Sequence, residues 1–102
     1  MRKTYKKSEL IKICPVCGWD ELDDPPYDEF GYPSYEICSC CGYETGYHDS
    51  NKGYTFEDYR KKWIEKGFPF HYQEDCPKVW NETVLQNQLK NIEKVKHYVP
   101  GP

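Results

Sequence analysis

The spacing of apolar and polar positions changes character midway along this chain. Leu10-Ile11-Lys12-Ile13 is a short apolar run, Ser34-Tyr35-Glu36-Ile37 alternates polar with apolar, and Tyr43 to Tyr47 continues in the same style. Each predicts a short strand. Residues 19–35 hold Pro25, Pro26, Gly31 and Pro33 among acids and aromatics, which predicts an ordered loop. Beyond residue 54 the period becomes helical. Thr55 with Asp58 resembles a capping box with a shortened acid, Phe56, Tyr59, Trp63 and Ile64 recur on one face, and Gly67 supplies a stop, so a helix is expected near 56–66. Phe68-Pro69-Phe70-His71-Tyr72 reads as an apolar connector packed on it. Asn81 or Pro77 opens a second helix, with Leu85, Leu89 and Ile92 on one face to about Lys96, and residues 100–102 read as a frayed end.

Cysteine positions turn this outline into a site. Cys14, Cys17, Cys38 and Cys41 form C-x2-C, a gap of 20 residues, then C-x2-C. Such paired knuckles bring four soft ligands around one tetrahedral metal. Gly18 and Gly42 follow the two knuckles, where a backbone turn with positive φ is needed. Buried thiols or two disulfides are the alternatives. The expected fold is therefore α+β: a small zinc-ribbon-like β unit of about three short strands and two knuckles, followed by two α-helices. Residues 1–9 are expected to form a basic flexible leader, 10–50 the four-cysteine unit, and 51–99 a helical part packed on it, in a single domain.

Thiolate-only tetrahedral sites select zinc or iron. Zinc would hold structure, and iron would carry electrons; zinc is the expected occupant, iron the alternative. Cys40 lies inside the second knuckle but is left out of the ligand set, because Cys38/Cys41 repeats the Cys14/Cys17 spacing. Cys76 reads as structural or idle. The N-terminus has basic residues without the apolar stretch of a signal peptide, and no run of about eighteen apolar residues could span a membrane. A reducing, cytoplasmic setting is expected, where thiols stay free for metal.

Composition limits the core. Leu, Ile, Val and Phe total eighteen of 102 residues and alanine is absent, whereas ten tyrosines and three tryptophans offer large rings with polar tips. A small aromatic core that depends on metal is expected. Net charge is −3, unevenly spread: residues 1–12 carry +4, and residues 13–51 hold nine acids and no Lys or Arg. The metal half would repel phosphate, so specific nucleic-acid binding is not expected.

The segment from Ile37 to Tyr43 resembles a rubredoxin knuckle. More broadly, Cys14-Pro15-Val16-Cys17-Gly18-Trp19, Leu22 and the run from Ser34 to Tyr43 resemble the bacterial cysteine-rich CPCC-type proteins. The likeness extends through His48 to Gly53 and covers about residues 13–67, with CPVC in place of the doubled CPCC and CSCC in the second knuckle. It implies a small bacterial zinc-binding protein and brings no activity with it; some chains of this architecture are suspected of immunity or toxin-neutralising roles.

His48-Asp49-Ser50 holds the residue types of a hydrolytic triad, but neighbours in one turn do not converge on a substrate atom. Four matched cysteines also leave no open metal position. The chain is thus expected not to be an enzyme. His71 reads as a packed rim residue and His97 lies near the end. A binding module fits better: Asp23, Asp24, Tyr27, Asp28, Glu29, Phe30 and Tyr32 place aromatic anchors among negative charge, a surface suited to a basic protein partner. The same rings could instead complete the core. A monomer is expected.

Overall fold

In the computed structural model, residues 3–100 are described, and the order of elements follows from local capping chemistry. Met1 and Arg2 of the expected leader, and Gly101 and Pro102 of the expected frayed end, lie outside them. Helix α1 spans Phe56–Glu65. It opens at Thr55, whose hydroxyl accepts the Asp58 amide. It closes in a Schellman turn: Phe68 N–H donates to the Trp63 carbonyl, Gly67 N–H to that of Ile64, and the Phe68 ring packs on Trp63. Gly67 takes φ +93°, which lets the chain reverse there. Helix α2 spans Glu82–Leu89, capped by Asn81 on the Val84 amide. The expected continuation to Lys96 tightens into a 3-10 segment, Lys90–Val95. Two further 3-10 turns cover Lys7–Glu9 and Gln73–Asp75.

The α+β expectation is corrected: among the described residues there is no β-strand and no sheet. Only isolated antiparallel bridges form, Tyr27 with Pro33 and Ile37 with Glu44. Local hydrogen bonds consume the amides a ladder would need. Leu10 and Ile11 donate back to Lys7 and Glu9, so residues 10–13 are not a strand. On one side of the Ile37–Glu44 bridge, Tyr35 sits at φ +59° and the Glu36 amide donates to Ser34 Oγ. On the other, Gly46 at φ +86° donates to Asp49 Oδ1, and His48 N–H to the Glu44 carbonyl. The zinc-ribbon-like β unit is thus replaced by two knuckles on irregular backbone.

Among the described residues, two apolar clusters hold the chain together. The larger surrounds the cysteines with Val16, Trp19, Tyr43, Trp63, Phe70 and Leu85. Its rings meet edge to face, Trp19 on Phe70 and Phe70 on Trp80, an arrangement that adds about 0.5–1.5 kcal/mol per pair beyond burial. The smaller joins Tyr5 and Ile13 to Tyr27, Val95 and Tyr98, and so ties both chain ends to the loop. Tyr5 N–H donates to the Glu29 carbonyl, which anchors residues 3–9 against the fold.

Candidate metal centre

Each knuckle is built by the same two backbone bonds. Gly18 N–H closes on the Cys14 carbonyl and Cys14 N–H reaches the Trp19 carbonyl; Gly42, Cys38 and Tyr43 repeat the pattern. Gly18 and Gly42 take φ of +83° and +79°, the region that favours glycine. The turns bring the Sγ atoms of Cys14, Cys17, Cys38 and Cys41 within 4.8 Å of one another, all buried. Cys14 and Cys41 sulfurs are 3.7 Å apart, Cys17 and Cys38 3.6 Å. A tetrahedron with metal–sulfur bonds of about 2.3 Å has sulfur–sulfur edges of about 3.8 Å, so the cage fits one four-coordinate ion.

Electrostatics point the same way. Burial pushes the Cys17, Cys38 and Cys41 thiols up; neighbouring thiols add to this at Cys17 and act in both directions at Cys38 and Cys41. At Cys14 burial also opposes ionisation, but hydrogen bonds from Cys17, Cys38 and Cys41 outweigh it and hold that thiol well below its usual range. The bare cage therefore stabilises one thiolate and resists three more. Four thiolates need a cation among them.

The C-terminal half reads the outside of this cage. Arg60 donates to the Val16 carbonyl at 2.5 Å and to that of Pro15 at 3.1 Å. Gln88 Nε2 serves Cys17, and Asn91 Nδ2 serves Gly18. On the second knuckle, Tyr72 N–H, His71 N–H and the Tyr59 hydroxyl serve Ser39, Cys40 and Cys41 in turn. The outward carbonyls of both knuckles are thus occupied, a requirement for buried backbone. The contact leaves no room for side chains: a Cβ on Gly18 would lie 2.1 Å from the Gln88 carbonyl oxygen, and one on Gly42 2.8 Å from His71 Nδ1. Sequence reading missed Arg60, Gln88, Asn91 and Tyr59 in this role; the two knuckle glycines were the available hint of close approach.

Other marked residues are placed as follows. Cys40 is buried outside the cage, its sulfur 3.3 Å from Gln88 Nε2. Cys76 is half-buried against the larger cluster. His71 is exposed beside Gly42, and His97 lies against the Glu9 carbonyl and the rings of Tyr5 and Tyr98. Within His48-Asp49-Ser50 the groups face apart: His48 Nδ1 accepts the Glu44 amide, and buried Asp49 accepts the Tyr27 hydroxyl and the Gly46 and Ser50 amides. Burial pulls the His48 pKa down, against Glu44 nearby.

The loop residues divide. Tyr27 is core, only 2% exposed, whereas Phe30 and Tyr32 are 59% and 51% exposed. Asp28 Oδ1 accepts the Phe30 and Tyr32 amides, and the Glu36 carboxylate accepts those of Asp23 and Asp24, so this loop is fixed by its own acids. Glu29 is half-buried. Among the described residues no helix is long and apolar enough to cross a membrane.

Two Bacillus subtilis (strain 168) proteins are similar to the chain. Uncharacterized protein YoaQ is 34% identical over 104 residues, spanning 82% of this chain and 88% of its own length. Uncharacterized protein YozI is 32% identical over 82 residues, spanning 66% and 68%. No family profile and no solved structure matches.

Proposed function

From the premise that the chain belongs to the family of YoaQ and YozI, we propose that it is a bacterial protein-interaction module held in shape by one structural zinc. The observation that carries the reading is the buried four-sulfur cage, within 4.8 Å, whose outer carbonyls are occupied by the second half of the chain. Zinc there fixes structure and performs no redox step. The likeness of residues 13–67 to CPCC-type proteins supports zinc over a rubredoxin-like iron carrier.

The interaction face is the loop bearing Phe30, Tyr32 and Tyr35, rimmed by Asp23, Asp24, Asp28 and Glu29. Its internal hydrogen bonds reduce the ordering cost of binding. The rings supply anchors and the acids attract a basic protein partner, an immunity-like role in the cytoplasm of a bacterium. Metal analysis tests the first half: one zinc per chain and no visible absorption are expected, and a coloured iron protein overturns it. Affinity capture from the native cell tests the second. Replacing Asp23, Asp24, Asp28 and Glu29 by Asn or Gln should slow association with the captured basic protein, and unchanged association removes the loop from the interface.

A further inference from the structure

Between α1 and the segment Pro69-Phe70-His71 lies a cavity of about 310 Å³. We infer that it is a binding site for a small planar organic anion, of the class of single-ring aromatic carboxylates. Its walls are the rings of Tyr54, Tyr59, Trp63 and Phe70, and Lys62 and Lys66 stand at its edge. His71 and Cys41 complete the lining. Among the described residues no carboxylate lines the cavity. The acids of the chain are concentrated in residues 13–51, and the side chains that carry charge at this cavity's edge are the two lysines. Among the described residues no acid comes within ion-pair distance of either lysine, the recorded pair being Lys96 with Glu93. Lys62 instead holds its ammonium over the Tyr54 ring, 5.3 Å from its centre.

The two kinds of lining group call for complementary chemistry in one ligand. Aromatic walls favour a flat ring by stacking and edge contacts, and two ammonium groups left without acids favour an anionic substituent on it. Ligand sites run from about 300 to 1,000 Å³, so this cavity sits at the small end and suits a single ring. Trp63 is fixed by its own Nε1–H bond to the Pro69 carbonyl, and the Tyr59 hydroxyl by its bond to the Cys41 carbonyl. The walls therefore need no rearrangement on binding.

The test is a titration of the metal-loaded protein with 4-hydroxybenzoate, followed through amide and Trp63 indole NMR shifts. Saturable shifts should converge on Tyr54, Tyr59, Lys62, Trp63 and Lys66. The Lys62→Met/Lys66→Met double variant, altered only at exposed side chains, should bind at least about tenfold more weakly. p-Cresol, which keeps the ring without the carboxylate, should also bind about tenfold more weakly, and Lys61→Met on another face of α1 should bind as the parent does. Absence of saturable shifts at these residues, equal affinity in the double variant, or p-cresol binding as well as the acid would each overturn the assignment.

Discussion

One nitrogen of Gln88 is shared between the Cys17 carbonyl, at 3.0 Å, and the sulfur of Cys40, at 3.3 Å. Through it α2 grips a knuckle and the one spare buried thiol at once. Gln88→Leu leaves the carbonyl unpaired in a buried place, which should cost about 1–3 kcal/mol in urea unfolding. Metal content should stay at one per chain. Cys40→Ser should likewise keep its metal, while any of Cys14, Cys17, Cys38 or Cys41 changed to Ser should lose it and unfold the first half. Metal loss from Cys40→Ser with retention in Cys41→Ser would reassign the ligand set.

Metal uptake should release protons. Burial disfavours the thiolates of Cys17, Cys38 and Cys41, so binding at neutral pH should expel protons from the cage. Affinity should then fall as pH falls. Calorimetry in buffers of different ionisation enthalpy measures the number directly.

Alkaline pH should destabilise the fold. Burial raises the phenol pKa of Tyr5, Tyr27, Tyr43, Tyr59 and Tyr98, the last to about 12. The unfolded chain loses these protons near pH 10. Their contribution is thus complete below about pH 10 and declines as pH rises toward the folded values, because the native state holds more protons. Urea midpoints at pH 9 and pH 11 should differ in that direction, and a flat profile would mean that the phenols ionise freely in the native state.

Tyr27 and Phe30, three residues apart, should behave oppositely. Tyr27→Ala removes a core ring and a donor to Asp49, and should cost about 3–5 kcal/mol. Phe30→Ala, at an exposed ring, should leave the unfolding midpoint within about 0.5 kcal/mol. Denaturant melts of the two single variants decide it.

Legibility in the sequence tracked the range of the forces involved. The start of α1 and its stop were readable because Thr55 caps Asp58 and Gly67 reverses the chain within one turn. Asn81 announced α2 for the same reason. The C-x2-C spacing brought out the four sulfurs that do meet, since each pair is positioned by a turn of five residues. The strands expected at residues 10–13, 34–37 and 43–47 rested on a short apolar run and on alternation. Their amides are spent on Lys7, Ser34 and Asp49, and Tyr35 adopts a left-handed conformation that alternation does not reveal. Arg60, Gln88 and Asn91 carry no local signal of their role. Their partners lie 44 to 73 residues away in sequence.

Those separations bear on the order of folding. Bonds such as Asn91 to Gly18 require closing a loop of more than seventy residues, a slow step while nothing holds the knuckle in shape. An ion that gathers four sulfurs presents Gln88 of α2 and Asn91 of the 3-10 segment after it with carbonyls already aimed outward. Refolding of the chelated chain should then speed up in proportion to added metal until that step saturates, and the helices should consolidate after the ion has bound. In the cell, metal supply would set the pace at which newly made chains mature.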